Sequence, residues 1–323
     1  MTNARNLRRS GHSAVSKSDG SRHPGDRGDR LKQLRTFCHT ARLGSISRAA
    51  EHIMSSQPAV SVHVRVLEEN LGVALFERRG PRISLTREGK GLYERAMPLV
   101  VGMDRLPDTF AEQHFGVVED VLTIGAGQTS AAYLLPEYIE RFRERWPEIG
   151  IEIRSASGEQ RLRWLRDYEM DLVVGSVDVA PPDVEFHPVR ASQFLLVTAA
   201  DHALAGRTSV DIEEAAAYPF VGHSRTRYMG QLAETLFRLH GVAPEIVVEV
   251  DGWGAITHYV SGGVGIAFVP DLCLTERDRL WRIPFEGAVP PRRYGAMTRR
   301  DARLPLLARR FLSVMVPELS CTR

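Results

Sequence analysis

With 323 residues the chain is long enough for two or three domains of about 100 to 200 residues each, and its 43% hydrophobic and 25% charged content is that of a soluble globular protein. No apolar run approaches the ~18 residues of a membrane span, residues 1–30 lack the apolar core of a secretory signal, and Cys38, Cys273 and Cys321 stand far apart, so a cytoplasmic protein with no membrane partner is expected. The formal net charge of +2 conceals 18 Lys+Arg against 9 Asp+Glu in residues 1–95 and a balance of −7 beyond them; a basic head suits a phosphate backbone, although the same run also describes a merely solvated face.

Residues 1–30 are rich in Ser, Gly, Asp and Arg and hold too little apolar surface to offset ordering entropy, which predicts a disordered basic tail. From Leu31 the pattern changes. Leu31, Leu34, Phe37, Cys38 and Ala41 recur at helical spacing until Gly44. Ser45 is placed to cap a second helix carrying Ile46, Ala49, Ala50 and Ile53, whose paired alanines allow another helix to cross closely. After a turn at Met54 and Ser55, Ser56 caps a third helix with Pro58 in its first turn, where a missing N–H costs nothing. Val60, Val64, Leu67 and Leu71 form its inward stripe. That leaves Ser56, Gln57, Pro58, Ser61, Val62 and Arg65 as a candidate major-groove face: Gln pairs with adenine, Arg with guanine or phosphate, and an exposed Val meets a thymine methyl. Residues 75–86 then read as two short strands around a Gly-Pro turn, a wing whose Arg78, Arg79 and Arg82 are placed for phosphates or the minor groove.

Three runs carry a family resemblance: Gly-Ser-Ile-Ser-Arg-Ala-Ala-Glu-His from Gly44, Ser-Gln-Pro-Ala-Val-Ser from Ser56, and Leu-Glu-Glu-Asn-Leu-Gly-Val-Ala-Leu-Phe-Glu-Arg from Leu67. Over residues 31–92 the sequence resembles the LysR-type transcriptional regulators. The resemblance implies a winged helix-turn-helix at 31–86 with Gln57, Pro58, Ser61, Arg65 and the wing at operator DNA. It further implies a linker and dimerisation helix at 87–118 and a periplasmic-binding-protein-like effector domain at 119–323. A homodimer on an inverted repeat, pairing further into a homotetramer, and contact with RNA polymerase belong to the same expectation. His63, after Val62, departs from the basic or amide residue common in the family.

In the linker, Leu92, Ala96, Leu99, Met103, Leu106 and Phe110 alternate spacings of four and three, which describes either a dimer seam or a helix packed on its own domain; Pro98 and Pro107 interrupt it, with a kink or an end expected at Pro107. Beyond it the chain alternates strand and helix in α/β grammar: strands at 121–125, 149–154 and 171–175 with helices at 134–145 and 160–168. A second series of strands lies near Phe194, Tyr218, Ile246 and Gly265, before Tyr294 and a helix at 304–316 return to the first lobe. Two lobes are therefore expected, one about 119–190 with 270–323 and one about 191–269, with crossovers near Arg190 and Val269. Thr123-Ile-Gly-Ala-Gly-Gln-Thr-Ser, Tyr133-Leu-Leu-Pro, Val250-Asp-Gly-Trp and Leu272-Cys-Leu-Thr-Glu resemble the sulfur- and carbon-assimilation branch of the family.

A small-molecule effector, anionic because helix N-termini favour negative charge, is expected where Gln128, Thr129 and Ser130 open the helix after the first sensor strand. Ser157 and Gln160 are placed on the facing wall, and His223, Ser224 and Thr226 on the second lobe; for Ser157 a simple capping role is an equal reading. An NAD-dependent oxidoreductase is the competing enzyme reading of Gly125-Ala-Gly-Gln-Thr-Ser, but Ser130 stands where the dinucleotide fingerprint has its third glycine. No hydrolase elbow, zinc-protease motif or phosphate-binding Walker motif occurs, so no catalytic residue, metal or cofactor is expected. An architectural DNA-binding protein with a passive C-terminal half is the remaining alternative.

Overall fold

The computed structural model describes residues 26–79, 82–104, 106–107, 110, 121–177, 179–226, 228–285, 291–300 and 304–318. The chain divides after Gly102 into two compact units.

The first unit begins with α1 (Asp26–Leu43), α2 (Ile46–His52) and α3 (Gln57–Leu71). α1 starts within the segment expected to be disordered, so residues 26–30 are helical; residues 1–25 of that expectation lie outside the described residues. Ser45 and Ser56 cap α2 and α3 as their positions predict, accepting from Arg48 N–H and Ala59 N–H. Ala49, Ala50 and Val60 form the buried contact between the two helices, with Leu43, Ile46 and Ile53 packed against it. Val64 and Leu67 are also buried, whereas Leu71, expected on the same stripe, is 47% exposed because it lies in the last turn before Gly72 ends the helix at φ +69°. Met54 makes the turn between α2 and α3 at φ +51°. Strands β1 (Phe76–Arg79) and β2 (Arg82–Leu85) pair antiparallel from Phe76 opposite Leu85 to Arg79 opposite Arg82. Glu68 fixes this hairpin to α3 by accepting the N–H groups of Leu75 (2.7 Å) and Phe76 (3.2 Å), and Phe37 of α1 meets Phe76 with ring centres 5.4 Å apart.

Thr86 caps α4 (Arg87–Asp104) by accepting Gly89 N–H at 2.9 Å. α4 runs through Pro98, so the expected interruption there does not occur. Helical backbone is present again at Leu106, Pro107 and Phe110; residues 111–118 of the expected linker lie outside the described residues, and the expected end at Pro107 is not defined.

The second unit holds two lobes. The first is a five-stranded sheet in the order β4-β3-β5-β12-β6, built from β3 (Val121–Ala126), β4 (Gly150–Ser155), β5 (Leu172–Ser176), β6 (Val184–Ser192) and β12 (Arg292–Arg299). β3 is parallel to β4 and β5, and β12 is antiparallel to β5 and β6. Around it pack a π-helical turn (Ser130–Leu134) continuing into α5 (Leu135–Arg145), then α6 (Gly158–Arg166), with the C-terminal helix (Leu306–Met315) contributing Leu307, Phe311 and Leu312 to the core. β6, lying between the expected strands, was not anticipated from its sequence.

The second lobe contains β7 (Phe194–Ala199) between β10 (Ala267–Pro270) and β11 (Leu280–Pro284), and the parallel pair β8 (Phe220–His223) and β9 (Ile246–Val250). Between its strands come α7 (Ile212–Ala215), α8 (Tyr228–Leu239) and α9 (Trp253–Ser261). The first crossover falls at Gln193, between β6 and β7, close to the expected position. The second is displaced: β11 pairs with β7 in the second lobe, so the chain returns to the first lobe only after Phe285, not near Val269.

Candidate functional site

In the first unit, Ser56, Gln57, Pro58, Ser61, Val62 and Arg65 are all exposed, opposite Val60, Val64 and Leu67. The 3.6-residue period thus separates one packing face from one free face on the same fifteen-residue helix. Arg65 Nε lies 3.3 Å from Glu69 Oε1, with both side chains largely solvated; an exposed pair of this kind contributes roughly 0.3 to 0.5 kcal/mol and leaves the guanidinium available for exchange onto a base or phosphate. His63 does not belong to this face: its Nδ1 is 3.2 Å from Thr36 Oγ1, which ties α3 to α1. The register sets Arg79 and Arg82 opposite each other at the turn end of the hairpin, and the side chains of Arg78, Arg79 and Arg82 lie outside the described residues.

In the second unit, a cavity of about 530 Å³ opens between the lobes beside the start of the helix after β3. Gln128, Thr129, Ser130 and Ser157 border it, which brings together four of the expected effector residues. Thr129 is also a contact between lobes, because Trp253 Nε1 of α9 donates to its Oγ1 at 3.2 Å. Ser130 Oγ is buried without a hydrogen-bond partner among the described residues. Ser157 caps α6, accepting Gln160 N–H at 3.3 Å, while also bordering the cavity.

The other expected residues are not brought to this cavity. Gln160 does not border it, and Ser224 and Thr226 bond each other at 2.9 Å on the second lobe. They follow β8 on a turn that Glu249 pins by accepting Arg225 N–H, which turns their hydroxyls toward each other rather than into the cleft. His223 borders a smaller space of about 140 Å³ with Gln128, Thr129 and Trp253, lies 3.3 Å from Asp251, and stacks edge-on against Trp253 at 5.1 Å.

Sequence reasoning missed Arg161, Arg292, Tyr294 and Trp253, all of which border the main cavity. Arg161 is 7% exposed and donates from Nη1 to the Ala156 carbonyl at 2.7 Å. Burial, with the charge of Arg292 adding to it, pushes the Arg161 guanidinium below its ordinary range. Arg292 donates to Ser176 Oγ at 2.8 Å, and burial pushes the Tyr294 phenol up to about 12. The signal for Arg161 was its place one turn before Leu165 on the buried stripe of α6. A Cβ built at Gly127 or Gly175 would stand 3.0 or 2.7 Å from its guanidinium nitrogens. Gly127 is therefore accounted for by a protein side chain, which removes the structural reason for reading its loop as a dinucleotide cradle. Among the described residues no cluster of three His, Cys, Asp or Glu is placed to hold a metal, and no helix is long and apolar enough to cross a membrane.

Residues 31–90 match the helix-turn-helix domain described as "Bacterial regulatory helix-turn-helix protein, lysR family", and residues 116–320 match the LysR substrate binding domain. The chain is 28% identical over 292 residues to the RuBisCO operon transcriptional regulator of Allochromatium vinosum, covering 89% of this chain and 96% of that one. It is 30% identical over 245 residues to the transcriptional regulator CysB of Burkholderia cenocepacia, covering 74% and 77%. A solved structure of full-length OxyR from Pseudomonas aeruginosa shares the fold with a TM-score of 0.64 at 22% identity, over 88% of this chain and 97% of that one. On these matches, which take in both units, the chain belongs to the LysR family of DNA-binding transcriptional regulators.

Proposed function

We propose that the protein binds an inverted-repeat operator as a homodimer through the outer face of α3 and the wing, and that an anionic small molecule in the interlobe cleft sets how it does so. The observation that carries the DNA reading is the free face of α3, where Gln57, Ser61, Val62 and Arg65 stand exposed beside a basic hairpin. In this reading the DNA-binding domain spans 31–86, the linker 87–118 and the effector domain 119–323, and the protein acts in the cytoplasm by binding rather than catalysis. Leu99, exposed on α4, supplies the dimer contact; Ala96 of the same heptad pattern is buried and does not. The cleft reading is supported by Thr129 and Ser130 at the cavity and by the two arginines that border it. Selection of bound duplexes from a random-sequence pool tests the function. The expected product is a pair of inverted half-sites about one helical turn apart, and an enriched single site without symmetry would remove the dimer reading.

A further inference from the structure

The second lobe holds a cavity of its own. A space of about 510 Å³ lies against α8, and every described residue bordering it falls between Phe194 and Phe285, within that lobe. Thr129, Ser130, Ser157, Arg161 and Arg292 of the interlobe cavity do not border it, whereas Met229 and Trp253 border both spaces and so stand between the two. The space arises from the way α8 is seated. A Cβ at Gly230 would stand 2.3 Å from the Ser224 carbonyl oxygen, so the missing side chain lets the first turn of the helix approach the end of β8 closely. Beyond that turn the contact loosens. The C-terminal helix, of similar length and also apolar on one side, buries Leu307, Ala308, Phe311, Leu312, Val314 and Met315, but on α8 Phe237 is the one described apolar side chain that is buried. Met229, Leu232, Ala233 and Leu236 are half-buried, and all four border the cavity.

Its border follows α8 from Met229 in the first turn to Arg238 in the last, which at ~1.5 Å per residue is about 13 Å of helix axis. Facing the helix are the aromatic side chains of Phe194, Phe220, Phe268, Phe285 and Trp253. The apolar side chains of this lobe form two clusters, one around Phe220 and Phe237 and one around Val221 and Trp253, and the cavity is bordered by members of both. Arg225, Glu234, Arg238 and Glu249 also border it, all four exposed, with Arg225 Nε 3.5 Å from Glu249 Oε2; these charges mark its solvent edge. Water in such a space finds too few polar partners, and wall atoms facing a void lose the dispersion contacts of a filled core. The volume falls within the size of organic-ligand sites, roughly 300 to 1,000 Å³.

We propose that this cavity is a second ligand site, separate from the interlobe cleft, for a molecule with one medium-length hydrocarbon chain laid along α8 and its head group at the exposed border. A chain matches a space that runs the length of a helix over an aromatic floor, whereas a small polar metabolite would give up its hydrogen bonds with water there. A fatty alcohol and a fatty acid share the chain, and the border carries charge of both signs to meet either head group.

The test is calorimetry on the full chain with decanol, decanoate, butanol and 2-naphthol, on wild type and on Ala233→Phe, Val242→Trp and Gln128→Trp. Decanol or decanoate should bind saturably and about tenfold or more tightly than butanol, because each further buried CH₂ adds to the transfer from water. Which of the two binds better identifies the head group. Ala233→Phe fills the space from α8 and Val242→Trp from the loop after it, and each should weaken the chain by about tenfold or more; if one fails to fold, the other carries the test. Gln128→Trp crowds the interlobe cavity and should leave chain binding unchanged. Butanol or 2-naphthol binding as tightly as the chains would overturn the assignment of a chain. Chain binding lost in Gln128→Trp but kept in the folded filling variants would move the molecule to the interlobe cleft and overturn the second site. Absence of saturable binding by either chain would overturn it as well.

Discussion

Replacing Thr129 by Val keeps its shape and removes the hydroxyl that accepts Trp253 Nε1 at 3.2 Å. Trp253 is 6% exposed, and its indole N–H would lose this partner at the border of the interlobe cavity. A net hydrogen bond contributes about 0.5 to 1.5 kcal/mol, against about 1 to 3 kcal/mol for a buried donor left wholly unsatisfied, and the first figure governs here because the bond borders a cavity. Trp253→Phe removes the donor as well as ring volume packed against Phe194 and His223, so by itself it cannot isolate the bond. The pair of single variants and the double variant form a cycle in which the packing loss cancels. Urea unfolding of the full chain followed by far-ultraviolet circular dichroism should give a coupling of about 1 kcal/mol between the two sites. A coupling within about 0.3 kcal/mol of zero would refute the claim that this bond joins the lobes.

Other consequences are as direct. Met54 is 95% exposed in the left-handed region at φ +51°, so Met54→Gly should raise the stability of the first unit by about 0.5 to 1 kcal/mol, read as an upward shift of its melting transition. Burial depresses the His187 pKa below its ordinary 6.5, with Nε2 3.0 Å from Thr298 Oγ1. Below pH 6.5 the unfolded chain takes up a proton that the folded chain refuses, so stability falls as pH drops through that window; melting curves between pH 7.5 and 5 should fall less steeply for His187→Gln, and equal slopes would contradict the assignment. Leu99 is 73% exposed within its own chain, so Leu99→Asp should leave the monomer fold within about 0.5 kcal/mol of wild type while abolishing the dimer in analytical ultracentrifugation.

The reader half was legible because its signals are local. Ser45 and Ser56 announce their helices by position, and the paired alanines with Val60 announce the crossing. Leu71 was misplaced because a periodic stripe says which face a residue shares, not whether a neighbour reaches the helix end. His63 follows Val62 in the chain, yet its partner Thr36 is 27 positions away and invisible to periodicity. In the sensor half the lobe boundary failed at β11, whose membership is decided by pairing with β7 across some eighty residues. Arg161 is the instructive omission. It sits among Arg163 and Arg166 on one helix, and only the approach of Gly127 and Gly175 from two other segments distinguishes it from a solvated charge.

The central claim is that the outer face of α3 reads DNA sequence. Affinities for a selected operator and for a scrambled duplex, measured at one fixed salt concentration for wild type, Gln57→Ala and Arg65→Ala, test it most directly. Loss of one good base contact should reduce the specific-to-scrambled ratio by about 1 to 3 kcal/mol in each variant, with melting temperatures unchanged because both side chains stand clear of the core. Two variants that fold normally and keep the wild-type ratio would contradict the account.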